Sequence, residues 1–211
     1  VAKVLIVVVR RYNPGEFWPL LNALLSRGHE FDIVSTSLNI QDEVRHEPNT
    51  LAMTLDDIKS FKGYQGLVLV SGNPKDTEAL WYNEKVLSLV SQADKQGHTI
   101  GAICAAVPAI RNVAKGKKVS AFPLKKALVM LHEAGALYQP VSLTTDTNLA
   151  TAENEVMTLM WATNICDLLE GKEPTHVLHE SPFKRKARER RPIPQLEYFK
   201  KVAERTGKHE V

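Results

Sequence analysis

The run VLIVVV, residues 4–9, constrains the fold of this chain more than any other stretch. A strand points successive side chains to opposite faces, so an uninterrupted apolar run needs cover on both sides of its sheet. That is the condition of a parallel sheet, whose strands are joined by helical crossovers. The run falls far short of the roughly 20 residues that a membrane-spanning helix needs, and Arg10 and Arg11 close it.

The chain repeats this alternation. NPGEFWPLLNALLSRGHE sets Phe17, Leu20, Leu21, Leu24 and Leu25 at helical spacing, with Pro19 read in the first turn and Gly28 at the stop. Residues 31–34, 67–70 and 99–103 read as strands, and KKVSAF as a short one. One long amphipathic helix is expected over 77–96, with Leu80, Val86, Leu87 and Val90 inward. Further helices are expected over 124–134 and 153–170, the last ending at Gly171. VSLTTDTNLATA reads as a strand pair turning at 146–148. SLNIQDEVRHEPNT is polar and irregular, and LDDIKSF allows a short helix. The expected architecture is α/β, a mostly parallel sheet sandwiched by helices. Ligands bind such sheets outside the carboxyl ends of the strands. Cys104, Gly72 and the Gly15–Glu16 turn each follow a strand directly and are expected to meet at that edge.

Charge is unevenly spread. The net charge is +3, yet the residues from Lys172 onward hold 11 basic and 6 acidic side chains, which leaves the body at −2. A nearly neutral body argues against a nucleic-acid-binding domain. The tail keeps a polyanion partner open through its basic run at 184–191, interrupted by Glu189. Beyond it, Leu196, Phe199, Val202 and Ala203 share one face of a short helical pattern. Two cysteines, Cys104 and Cys166, make neither a disulfide framework nor a metal-spaced cluster. The first strand is not followed by the cleavage site of a secretory signal. A reduced, cytoplasmic protein without membrane anchor, metal or organic cofactor is expected.

In HTIGAICAAVPAI an apolar strand gives way to small residues at Cys104. AICAA has the form of a nucleophile elbow, with Ala102 and Ala106 where the familiar motif has glycines. A cysteine at a helix N-terminus gains free amides and the helix dipole, which favour thiolate. A small core residue is the alternative, since free cysteine is commonly buried. Glu16 opens the first helix on the same edge, where a solvated helix-capping glutamate is equally open. Gly72 in VSGN and Ala105 offer backbone amides to an oxyanion, and an ordinary strand-to-loop turn also explains Gly72. Cys166, among Met157, Met160, Trp161 and Ile165, reads as core. Trp18, Trp81 and Tyr82 fit a site mouth or a subunit contact.

The motifs VLIVVV, GHEFDIVS, YQGLVLVSGN, HTIGAICAAVPAI, GKKVSAFP, HEAGALY and TNLATA, in this order and spacing, resemble the ThiJ/PfpI superfamily. That superfamily holds protein deglycases, glyoxalase-III-like enzymes and intracellular proteases, relatives of the class I glutamine amidotransferases with a flavodoxin-like fold. The resemblance runs from about Lys3 to Lys172, which makes 1–171 one domain and leaves 172–211 as a basic extension with a short helix. It implies that Cys104 is the nucleophilic or redox-active cysteine and Glu16 the protonated carboxylic acid that hydrogen-bonds its thiolate. It also implies that Gly72 and Ala105 supply oxyanion amides, and it aligns Arg45 with an arginine near the site. A homodimer or larger homo-oligomer is implied as well.

The departures are equally specific. Ala105 stands where protease-like members have a histidine, and Phe122 where deglycase-like members have one. Ser71 replaces a glycine of GGN, and Glu153–Asn154 replace an arginine and a turn. A Cys–His pair normally activates such a nucleophile, so peptidase activity is not expected. His46, beside Arg45, is the histidine chosen as a possible substitute. Two functional readings follow. One is a cysteine-dependent hydrolase or lyase of small carbonyl compounds, glyoxalase-III-like or deglycase-like. The other is a non-enzymatic redox-sensing or chaperone-like stress protein with an exposed, low-pKa, oxidisable Cys104.

Overall fold

The computed structural model describes residues 1–174. The basic run at 184–191 and the apolar face at 196–203 lie outside them. The elements begin β1 (Lys3–Val8), β2 (Arg11–Tyr12), α1 (Pro14–Ser26), β3 (Glu30–Val34), β4 (Asn39–Asp42), β5 (Pro48–Thr50) and β6 (Gly66–Val70). Next come α2 (Pro74–Leu80), α3 (Glu84–Lys95), β7 (Thr99–Ile103) and a 3₁₀ helix, Cys104–Val113. Then follow β8 (Lys118–Val119), α4 (Lys125–Glu133), β9 (Leu137–Tyr138), β10 (Leu143–Asp146), β11 (Leu149–Ala152) and α5 (Thr158–Leu169).

The central sheet has the order β10-β11-β7-β6-β1-β3, and only the β10–β11 pair is antiparallel. Every residue of β1 after Lys3 is buried, as are all of β6 and β7. This is the mostly parallel sheet between helices that the alternating runs imply, in the flavodoxin-like form that the ThiJ/PfpI resemblance implies. α1 packs on α5, which covers β7 and β11; α3 covers β6 and β7 and meets the 3₁₀ helix, which α2 and α4 also contact. The chain leaves β1 toward β3 on one side and toward β6 on the other. That reversal opens a crevice at the carboxyl ends of β1 and β6, the usual ligand position in such sheets.

Four local expectations need correction. The helix over 77–96 is two helices, because Asn83 accepts the Val86 amide at 3.1 Å and starts α3 afresh. Leu89 is buried, whereas Leu87 is only half-buried. α1 begins at Pro14, capped by Asn13, which puts Pro19 inside the helix rather than in its first turn. The polar stretch before LDDIKSF folds as β4 and β5, which join β2 in a small sheet. β5 is exposed throughout, so no apolar alternation announces it.

Candidate active site

β7 delivers Cys104 to the carboxyl edge beside β6. Cys104 has φ +56°, a left-handed conformation that a non-glycine residue rarely takes. A buried strand, a strained cysteine and a following helix make up the elbow geometry. Ala102 and Ala106 are fully buried on either side of the turn, so larger side chains would have no room. The elbow is fastened from outside by Trp81, whose indole N–H donates to the Ala105 carbonyl at 2.7 Å. Arg111 in turn donates to the Trp81 carbonyl at 2.5 Å. Trp81→Phe is expected to cost about 1–2 kcal/mol by leaving that carbonyl unpaired. Urea unfolding measures it, and wild-type stability would show that the bond contributes nothing.

Glu16 is wholly buried rather than solvated. Pro14 starts α1 and the Asn13 side chain accepts the Gly15 amide, which aims the first turn at the end of β6. There the Ser71 amide donates to Glu16 Oε2 at 2.9 Å, and the Ser71 hydroxyl lies 2.8 Å from both carboxylate oxygens. Asn13 Nδ2 stands 3.5 Å from Oε1 and 2.9 Å from Glu155 Oε2.

Burial pushes the Glu16 carboxyl up to about 7 despite its bonds to Ser71 and Cys104, and the charge of Glu155 adds to the rise. Burial and then the Glu16 charge push the Cys104 thiol up to about 12, outweighing the Ser71 hydroxyl and Ala105 amide that favour thiolate. Burial and a neighbouring carboxyl thus work against the thiolate that the helix terminus favours. Among the described residues, the groups that act most on Cys104 are Glu16, Ser71 and the Ala105 amide.

Residues 2–168 match the DJ-1/PfpI family. The chain belongs to this family. An uncharacterized protein of Methanocaldococcus jannaschii, MJ0967, is 30% identical over 156 residues, covering 72% of this chain and 75% of its own. A ThiJ/PfpI domain protein from Brachyspira murdochii superposes with a TM-score of 0.72 at 13% identity, over 81% of this chain and 98% of that one. An oxidized DJ-1 from Toxoplasma gondii gives 0.70 at 16% identity, over 92% of this chain and 100% of that one.

Within this DJ-1/PfpI site the remaining candidates divide. The Ala105 amide reaches the sulfur of Cys104. The Gly72 amide instead donates to Thr77 Oγ1 at 3.0 Å, so it is committed within the loop and is not offered to an oxyanion in this arrangement. Arg45 and His46 are exposed on the turn between β4 and β5, where Asp42 accepts the Arg45 amide at 2.9 Å through Oδ1 and the His46 amide at 2.9 Å through its carbonyl. Their side chains are not among the groups acting on Cys104. Trp81 is buried, while Trp18 and Tyr82 are exposed. Phe122 sends its amide toward the Cys104 carbonyl, 3.4 Å away.

Ser71, Asn13 and Glu155 complete the site, and their part in it was not read from the sequence. Ser71 was visible as a departure from glycine, which was the available signal. Among the described residues no group of three or more His, Cys, Asp and Glu side chains could hold a metal ion. Nor is any helix there long and apolar enough to cross a membrane.

Proposed function

We propose that this DJ-1/PfpI protein is a cysteine-dependent enzyme acting on small, uncharged carbonyl compounds, with methylglyoxal as the representative substrate. One observation carries the reading: the elbow holds Cys104 at φ +56° on the sheet edge where the Ser71 amide holds the wholly buried Glu16 carboxyl, and burial raises that carboxyl toward neutrality. A general base works best when its pKa lies near the working pH. Glu16 takes the Cys104 proton, and the sulfur attacks the aldehyde carbon. The carbonyl π electrons pass to oxygen, which the Ala105 amide stabilises. Glu16 returns the proton to that oxygen and completes a hemithioacetal. Glu16 next moves the proton of the sulfur-bearing carbon to its neighbour through an enediol, while the hydroxyl proton passes to the neighbouring oxygen, giving the thioester of a 2-hydroxy acid. Water then cleaves the thioester, releasing lactate and restoring the thiol.

The surroundings support an uncharged substrate. Glu155 bears on Glu16, and burial together with the charges of Glu155 and Asp42 holds the Glu43 carboxyl above its ordinary value. Asp76 is already paired with Arg11 at 2.8 Å. A carboxylate-bearing substrate such as glyoxylate meets repulsion there. The sensing alternative called for an exposed thiolate, whereas Cys104 is half-buried. The test is direct: wild-type protein with methylglyoxal at pH 7.5, following substrate loss and lactate. Saturable turnover, with glyoxylate at least about tenfold slower, is expected; stoichiometric modification without turnover would overturn the reading.

A further inference from the structure

We propose that His29 is a pH-sensitive latch at the amino-terminal end of the sheet: its neutral ring accepts the Ala2 amide and closes the start of β1 onto β3, and protonation of the ring opens it. The latch lies at the opposite end of the strands from Cys104 and goes beyond the carbonyl reading, on which it does not depend.

Geometry carries it. Ala2 directly precedes β1 and His29 directly precedes β3, so the two stand one step outside the paired register that begins with Lys3 and Glu30. Two bonds extend the pairing to them. The Glu30 amide donates to the Ala2 carbonyl at 2.9 Å, and the Ala2 amide donates to His29 Nδ1 at 3.2 Å. The His29 backbone is itself held where α1 ends, its amide donating to the Leu24 carbonyl at 2.9 Å. His29 is 5% exposed, so water has little access to replace either partner. A neutral imidazole has one bare nitrogen and one N–H, whereas imidazolium has two N–H groups and accepts nothing. Accepting through Nδ1 fixes the proton on Nε2. A second proton would set one N–H against another at Ala2.

The surroundings oppose that second proton. Nε2 faces Glu170 Oε1 at 3.4 Å, but Arg27 Nε already donates to the same oxygen at 2.7 Å. Arg27 also donates to Glu170 Oε2 at 2.7 Å and to Asp167 Oδ1 at 2.8 Å, and Lys172 pairs with Glu170. Two cations thus face two carboxylates, and a proton on His29 adds a charge that nothing in this cluster balances. Burial lowers the His29 pKa from its ordinary 6.5; the Glu170 charge pulls it back up, and the Val1 amino group and Arg27 push it further down. Stability that depends on the neutral ring is therefore complete above about 6.5 and is lost as pH falls below it. Opening is local, because a strand end frays without breaking the core.

The experiment measures hydrogen exchange of the full chain by mass spectrometry at pH 5 and pH 7.5, each rate divided by the intrinsic rate at that pH. Protection over residues 2–8 should fall at least about fivefold at pH 5, while β7, residues 99–103, stays within about twofold. In His29→Asn, whose Oδ1 accepts the Ala2 amide but takes up no proton, protection over residues 2–8 should agree within about twofold at the two pH values. Equal wild-type protection at both pH values, or the same acid-dependent fall in His29→Asn, would overturn the proposal. An equal loss in β7 would also overturn it, by showing general acid unfolding. Nitrogen NMR of the wild-type ring at pH 7.5 should find Nδ1 bare and Nε2 protonated. The reverse tautomer, or a ring protonated on both nitrogens at that pH, would exclude the latch without recourse to a variant.

Discussion

Glu16→Gln should lower methylglyoxal turnover by roughly a thousandfold, within the range of a lost general acid–base group, while making the protein more stable above pH 7. The two effects share one cause. The Glu16 carboxyl is raised from 4.5 to about 7, chiefly by burial. A carboxyl with a raised folded-state pKa binds its proton more tightly in the folded chain than in the unfolded one. That contribution to stability is complete below about 4.5 and is lost as pH rises through about 7. Above pH 7 the folded protein bears the cost of a buried carboxylate, which glutamine removes. The melting temperature of the variant should therefore exceed wild type at pH 8 and approach it near pH 4.5, by roughly 2–4 °C for each kcal/mol relieved.

Activity runs the other way. Wild-type turnover should fall about tenfold per pH unit below 7 as Glu16 takes up its proton, and the variant should lack that limb. Cys104→Ala should abolish turnover altogether, because no sulfur remains to form the hemithioacetal. Undiminished turnover in Glu16→Gln would remove Glu16 from the mechanism. A variant less stable than wild type at pH 8 would show that its role is structural.

These opposing effects bear on what a sequence can disclose. β1, β6 and β7 were legible because both faces of each are buried, which forces unbroken apolar runs. Cys104 and Glu16 were legible because a strand end and a helix start can be located by pattern and then matched to a family. The break between α2 and α3 was not legible. The apolar period runs on through Trp81, and the break comes from a single polar cap, Asn83, which does not interrupt that period. The small sheet of β2, β4 and β5 carries no core face along β5 and hence no alternation. Ser71 illustrates the deeper limit. Its substitution for glycine was plain in the sequence, but its meaning depends on Glu16, 55 residues away. The forces on the Cys104 proton are hidden from the sequence for the same reason. Helix-terminal amides are a local property, whereas burial and the Glu16 charge arise only once the chain has folded.

Gly72→Ala should be the most damaging small substitution at the site's edge, costing about 3 kcal/mol, the upper end for an overpacked core, and lowering the melting temperature by roughly 6–12 °C. A Cβ at this position would stand 2.0 Å from the Arg11 carbonyl oxygen, 2.7 Å from Tyr12 Cα and 2.8 Å from Val9 Cγ2. The two closest of these are backbone atoms, so no side-chain rotation relieves them. β2 would have to retreat, and it carries contacts that the site needs. The Asn73 amide donates to the Arg11 carbonyl at 2.8 Å, and the neighbouring Asn13 amide donates to the Ser71 carbonyl at 2.9 Å. Losing that register loosens Ser71 from Glu16. Gly97→Ala supplies the comparison. Gly97 has φ +67° with nothing within 4 Å of a new Cβ, so it should cost only the 1–2 kcal/mol, roughly, of a left-handed alanine. Thermal melts of the two variants beside wild type separate close backbone approach from conformational strain. A Gly72→Ala protein melting within 2 °C or so of wild type would show that β2 yields freely and does not brace the site.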